Sequence, residues 1–474
     1  MRKLSLAIAV LLLQACMISF SQLGAQPQGA RGTTRPNILF ILADDLGAEA
    51  SSLYPDLYNS SAPSAVGQVP TPTISALAAR GVVFDNVWAT PLCSPTRAAI
   101  LTGLYGHNTS VTTVGNILPG NTTSIFELIR DSAGSPRYNM SVFGKWHLGG
   151  AGANGMNHVV NETGVPLYKG LLGSGVTNYY NWTLNTSTVL SAPTTTYTTT
   201  ALTDFAIDFI RSQNQSTPWF MYLPYNAPHG TAADNGFQVP PANLFNVDVG
   251  ARPAGTPAIY NGAIPVYQAL IQALDTEMGR LFRAMAEAGQ LDNTVIFFMG
   301  DNGTPAPVKD SASRIRGSKW GVYEGGVRVP LVIAGPGVTR TGRDPHMISS
   351  PDIFATIAQL AGVPLTNNSI NNSHSIVPLL SSSQATTGRK YSFTELCPNT
   401  GVGMKQFAIR DQRYKLLYSA NTWQMFDLAD DPWETTNLYD NPQHSGARST
   451  LLGELRALRA KAATDGCFVD IPAP

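Results

Sequence analysis

Charge is scarce in this chain. Only 13% of its 474 residues are Asp, Glu, Lys or Arg, and 31 basic side chains face 31 acidic ones. A polyanion binder needs a basic stripe or patch, and none is present, so nucleic acid is excluded as a partner. Cysteine is scarcer still, with four residues. Long apolar runs are also missing. Beyond the first residues there is no stretch of about 18 unbroken apolar side chains, which excludes a transmembrane segment. No internal repeat occurs.

What stands at the N-terminus is an export signal. Arg2 and Lys3 precede the apolar run Leu4 to Leu13, small residues follow, and cleavage is expected near Ala25. The mature protein is expected to be secreted or periplasmic. A second reading takes Leu13-Gln14-Ala15-Cys16 as a lipoprotein signal. With Cys16 in the signal, Cys397 and Cys467 are left either to bridge in an oxidising compartment or to stay as thiols. Eleven Asn-x-Ser/Thr sequons, including Asn59, Asn108, Asn121, Asn139, Asn161, Asn181, Asn185, Asn214, Asn367 and Asn371, fit a glycoprotein or an Asn- and Thr-rich bacterial chain.

A hydrophobic content of 43% supports a large core. Apolar runs at Asn37 to Leu42, Gly81 to Trp88, Trp219 to Leu223, Thr294 to Met299 and Val329 to Ala334 read as strands buried on both faces. Helical patterns fall at 71–80, Thr203 to Arg211, Val266 to Glu287 and Asp352 to Ala361. Strands alternating with helices predict an α/β fold, a large mostly parallel sheet sandwiched by helices. Functional residues should then gather at the carboxyl ends of its strands. Residues 150–200, rich in Gly, Asn and Thr, are expected to form a surface insertion near the site entrance. From about Tyr391 short strands and a helix at Ser449 to Ala462 predict a small C-terminal α+β subdomain. The expected division is 1–25 signal, 35–385 catalytic domain and 386–474 C-terminal subdomain.

Chemistry concentrates in a few segments. Cys93-Ser-Pro-Thr-Arg97 opens an apolar helix-like stretch, and a helix start beside a guanidinium favours anions. Asp44-Asp45 and Asp301-Asn302 each follow a buried strand and together offer the oxygen donors a hard divalent cation requires. Gly144-Lys145-Trp146-His147 sets a cation and an imidazole two residues apart, on one side of an extended segment. His229 lies just beyond the Trp219 strand, fixed by Pro228. Lys319 sits in Arg316 to Pro330, whose glycines allow close backbone approach. His107 and His158 have no comparable setting and read as structural.

In this order the segments are Ala-Asp-Asp-x-Gly, Cys-x-Pro-x-Arg, Gly-Lys-Trp-His-Leu-Gly, Ala-Pro-His, Gly-Asp-Asn-Gly and Lys-x(4)-Glu-Gly-Gly-x-Arg-Val-Pro. The series resembles the type I, arylsulfatase-like sulfatases of the alkaline-phosphatase superfamily, over about residues 35 to 440. The resemblance implies hydrolysis of sulfate esters, with Cys93 converted to formylglycine by a formylglycine-generating enzyme. Its hydrated aldehyde attacks sulfur and forms a covalent sulfo-enzyme. The resemblance further implies one divalent cation, Ca2+, on Asp44, Asp45, Cys93, Asp301 and Asn302. Arg97 and Lys145 hold the diol, His147 acts as base, and His229 and Lys319 serve the sulfate and the leaving group. Asn302 is then expected to stay unglycosylated. The implied partner is a sulfated small molecule or glycan. Leu-Gly-Ala-Glu-Ala after Asp45 departs from many relatives. A phosphodiesterase or phosphonate monoester hydrolase on the same scaffold, and a non-enzymatic relative, are the competing readings.

Overall fold

The computed structural model describes residues 35–58, 66–132, 137–231, 236–258, 262–365, 372–397 and 405–460. The expected export signal with Cys16, the sequons at Asn59, Asn367 and Asn371, and Cys467 lie outside them. Cys397 is disulfide-bonded and Cys93 is a free, buried cysteine.

The strands are β1 (Asn37–Ala43), β2 (Gly81–Trp88), β3 (Asn139–Lys145), β4 (Tyr168–Leu171), β5 (Trp182–Thr186), β6 (Ala192–Thr194) and β7 (Trp219–Pro224). They continue with β8 (Phe237–Gln238), β9 (Pro257–Ala258), β10 (Thr294–Gly300), β11 (Leu331–Ala334) and β12 (Gly342–Ser349). Ten of them form one sheet in the order β12-β2-β11-β10-β1-β7-β3-β4-β5-β6. Its centre, β10-β1-β7-β3-β4, is parallel throughout. β11 runs antiparallel between β10 and β2.

The apolar runs are continuous because both faces of the sheet are covered. All seven residues of β1 are buried. Leu39, Ile41 and Ala43 enter one core with the helices Ala263–Glu287 and Thr198–Ser212. Ile38, Phe40 and Leu42 enter the other with the helices Cys93–Thr102, Ile125–Asp131 and Asp352–Ala361. Each such Leu, Ile or Phe side chain, taken out of water, contributes about 1.5–3 kcal/mol before entropy is charged. This pins the register of β1, and so the position of the two acids that follow it.

Residues 150–200 depart from expectation. They add β4, β5 and β6 to the edge of the main sheet, and Val159, Val165, Tyr168, Leu172, Val176 and Tyr179 are buried. The weak periodicity arises because the strands are short and one, β4, is mostly buried. A second sheet, β13 (Ser392–Leu396), β14 (Gln406–Arg410), β15 (Tyr414–Ser419) and β16 (Thr422–Asp427), is antiparallel and packs beneath the helix Ser445–Ala460.

Candidate active site

The carboxyl ends of three central strands converge. β1 delivers Asp44 and Asp45, β10 delivers Asp301 and Asn302, and β3 ends in Lys145. The loop after β7 carries His229. Asp44 N–H donates to the Ala227 carbonyl at 3.1 Å, and Asp301 N–H to Ala43 at 3.0 Å, so adjacent strand ends are laced together. Gly144 permits the approach of β3 to β7: a Cβ there would collide with the Pro224 carbonyl oxygen. Gly326 meets Gly321 in the same way in the glycine-rich segment.

Cys93 is the first residue of a helix whose ten residues are all buried. Its Sγ lies 3.3 Å from His147 Nδ1. Sγ also clusters with carboxylate oxygens of Asp44 and Asp301, all within 4.8 Å of one another. Burial pushes the thiol up, against the pull of Lys145 and Lys319. Burial, then the neighbouring cations, push His147 far below the usual imidazole range. It is therefore neutral. His147 has φ 62°, so it does not continue an extended segment from Lys145. The left-handed residue, not strand alternation, brings both side chains to the site.

Arg97 is fully buried. Its Nε and Nη2 donate to Asp301 Oδ2 at 3.2 and 2.7 Å, and Nη1 donates to the Lys145 carbonyl at 2.9 Å. Lys145 Nζ donates to Asp44 Oδ2 at 2.7 Å. Lys319 Nζ pairs with Asp45 Oδ1 at 2.6 Å and lies 3.3 Å from His229 Nε2. Although burial opposes its charge, Asp45 and its neighbours hold Lys319 above the usual lysine range. Burial pushes His229 down to about 4, against the pull of Asp45. The proton on this pair therefore sits on Lys319.

Asp45 takes the left-handed conformation, φ 65°. Such positions cost about 1–3 kcal/mol and persist where surroundings fix them. Here Asp45 N–H donates to Asp301 Oδ1 at 3.0 Å, and Tyr267 OH donates to the Asp45 carbonyl at 2.6 Å. Tyr179 OH likewise donates to the carbonyls of Asn226 and His229 at 3.0 and 2.9 Å. Neither tyrosine is marked in the sequence, because one is a residue of a long amphipathic helix and the other of a low-complexity segment.

The donor set fits a hard cation. Among the described residues Asp44 Oδ1 and Asn302 Oδ1 are buried without a hydrogen-bond partner, and both are oxygen donors. Three carboxylates, Asp44, Asp45 and Asp301, face three fixed cations, Arg97, Lys145 and Lys319. A divalent ion would leave the site net positive, ready for an anion. Asn302 is fully buried here. In the segment after Asp45, Glu49 is itself buried, and desolvation pushes its carboxyl up.

The two histidines read as structural are so. His158 accepts from Trp146 Nε1 at 3.1 Å and faces the Leu118 carbonyl with its other nitrogen. His107 pairs with Glu395 of β13 at 3.0 Å.

This fold and site define a hydrolase of alkaline-phosphatase-like architecture, with an acidic cradle and a basic collar facing a helix-borne cysteine. The sequence model of the sulfatase domain matches residues 36–363, and that of the N-sulphoglucosamine sulphohydrolase C-terminal region matches 318–461. The chain belongs to the sulfatase family, whose members are sulfuric ester hydrolases. A sulfatase of Formosa agariphila is 26% identical, over 86% of this chain and 85% of its own. Arylsulfatase A of Bos taurus is 27% identical, over 87% and 85%. Among solved structures, Ps i-CgsB in complex with k-i-k-neocarrahexaose is 25% identical with TM-score 0.71, covering 90% of this chain and 92% of that one. A protein in complex with its substrate D-glucosamine-2-N,6-O-disulfate shares the fold, with TM-score 0.70 at 20% identity, covering 92% of this chain and 100% of that one.

Proposed function

We propose that this protein is an exported sulfatase that cleaves a sulfate ester of a sugar or glycan through formylglycine at position 93. The observation that carries the reading is the placement of Cys93 at a helix start, 3.3 Å from a neutral His147 and clustered with Asp44 and Asp301. A buried thiol with a raised pKa is a poor nucleophile, so its conversion supplies what the thiol lacks.

After hydration, one hydroxyl of the residue-93 diol attacks sulfur, and the S–O bond to the leaving oxygen breaks. The leaving oxygen takes its proton from the Lys319–His229 pair, on the Lys319 nitrogen. His147 removes the proton of the second hydroxyl, the carbonyl re-forms, and sulfate departs. The attacking hydroxyl's proton replaces, through solvent, the one Lys319 gives up, His147 releases the second hydroxyl's proton with the sulfate, and the net reaction consumes one water and yields an alcohol and hydrogen sulfate. Arg97, fixed by Asp301 and the Lys145 carbonyl, and Lys145, fixed by Asp44, hold the diol oxygens. Asp44, Asp45, Asp301 and Asn302 would hold a divalent cation, calcium by the chemistry of the donors, which would supply positive charge to the bound anion.

The carbohydrate complexes of the two similar structures support a sugar as leaving group. Export rests on the N-terminal signal. Among the described residues no helix is long and apolar enough to cross a membrane. Turnover of matched aryl sulfate and aryl phosphate esters by the matured enzyme tests the reading. Preference for sulfate is expected, and preference for phosphate would transfer the chain to the competing activity.

A further inference from the structure

Three non-glycine residues bordering the site have left-handed backbone: Asp45, His147 and Trp320. The first two carry site side chains. Trp320, at φ 76°, has no such role, and burial does not explain it either. Its side chain is 52% exposed, one of four large hydrophobic residues so exposed among the described residues. A bulky residue holds this backbone region only where its surroundings dictate it.

Both backbone groups of Trp320 are pinned. Its N–H donates to the Pro91 carbonyl at 3.1 Å, two residues before Cys93. Its carbonyl accepts from Gln406 Nε2 at 3.1 Å, from β14 of the small sheet. The preceding residue is Lys319, whose Nζ reaches Asp45, and the Lys319 N–H donates to the Thr304 carbonyl at 3.0 Å. The indole is thus mounted on a rigid seat between the cysteine loop and the leaving-group lysine, yet it contributes little to the core. Consecutive Cα atoms lie about 3.8 Å apart, so the indole springs from within about one sugar-ring width of the Lys319 backbone.

We propose that Trp320 is a substrate-positioning residue whose indole face stacks on the six-membered ring that bears the sulfate ester. This rests on the sulfatase reading above. The π face of indole is electron-rich, and it attracts the C–H bonds of a pyranose face or the edge of an aromatic ring. An acyclic alkyl chain offers no flat face to cover it. Trp320 is neither one of the carboxylate-bearing residues of the cradle nor part of the Lys319–His229 pair, so its contribution is to binding.

The test compares the matured wild-type chain with Trp320→Ala and Trp320→Phe on a hexosamine 6-sulfate, an aryl sulfate and an acyclic alkyl sulfate. Trp320→Ala is expected to raise KM about tenfold for the cyclic substrates, the equivalent of about 1.4 kcal/mol. Their kcat should stay within about twofold, the alkyl sulfate should be unaffected, and Trp320→Phe should restore most of the loss. The cyclic substrate that suffers more identifies the ring. Equal losses on all three, or none on the cyclic pair, would overturn the proposal. Calorimetric binding of the same compounds to Cys93→Ala, with and without Trp320→Ala, decides the stacking independently of turnover. Affinity for cyclic sulfates that falls only with the indole removed supports it. Equal affinities, or no binding to either form, overturn it, whereas failure of the wild type to hydrolyse any sulfate ester overturns the sulfatase reading alone.

Discussion

Cys93 Sγ and His147 Nδ1 meet at 3.3 Å as two neutral groups. Burial raises the thiol and depresses the imidazole, so proton transfer to an ion pair is disfavoured on both sides. This is unlike a cysteine hydrolase, in which the pair is charged. On the proposed formylglycine reading, the imidazole is instead free to take a proton from the oxygen that would replace the sulfur.

A serine at position 93 then makes a sharp test. Cys93→Ser keeps a hydroxyl that can be sulfated but has no second hydroxyl to expel the sulfate. One sulfuryl group per chain should accumulate, seen by intact mass after incubation with an aryl sulfate. Steady-state turnover should fall by at least about 10³-fold. Sustained turnover by the serine variant would sink the formylglycine mechanism.

Metal removal has a readout that does not depend on activity. Asp44 Oδ1 and Asn302 Oδ1 are buried and unpartnered by hydrogen bonds. A ligand present at 100 times its Kd stabilises the folded state by about 2.7 kcal/mol. Denaturant unfolding after chelation, with and without calcium restored, should show an increment of that order, and Asn302→Ala should shrink it. Identical curves with and without calcium would count against the cradle.

The sequence exposes the parts of this molecule whose chemistry is local. β1 and β10 are legible because a strand buried on two faces must be apolar throughout, and the acids that follow stand out against it. Cys93, Arg97, Lys145, His147, His229 and Lys319 are legible through their motifs, and the structure brings all of them together. β4 to β6 are hidden because short strands at a sheet edge carry little periodic signal. Tyr267 and Tyr179 are hidden because they act through hydroxyls on backbone carbonyls far away in sequence. Glu324 is half visible: its motif marks it, but its partners, Trp88 Nε1 at 3.0 Å and Lys415 at 3.0 Å, lie in other elements.

That partnership predicts how the small sheet is fastened. Lys415 is fully buried, 3.0 Å from Glu324 and 2.7 Å from Glu434, with its Nζ over the Trp88 ring. Lys415→Met would leave two carboxylates facing each other in the interior. Removing one partner of a buried pair costs about 3–5 kcal/mol. Urea unfolding should show a loss of that size, and the triple change Lys415→Met, Glu324→Gln, Glu434→Gln should recover part of it. A single variant as stable as the wild type would show that the cluster does not fasten the sheet.

Asp275 makes the stability of the fold depend on pH. It lies in the helix Ala263–Glu287 but caps another, Pro72–Ala79, whose own N-cap residue Thr71 makes no side-chain cap. Its carboxylate accepts from Thr73 N–H at 3.0 Å and Ile74 N–H at 2.8 Å. Burial nevertheless pushes it up from 3.8 to about 7, outweighing those donors. Between these values the folded chain holds a proton that the unfolded chain has lost. The contribution is therefore fully present below the unfolded value and is lost as pH rises towards 7, after which it is flat. The loss amounts to at most about 4 kcal/mol. Asp275→Asn keeps an acceptor but cannot titrate, so the stability difference between wild type and variant should move against the wild type from pH 4 to 7. A difference that stays constant across that range would mean that the two helix N–H groups, rather than desolvation, govern the carboxylate.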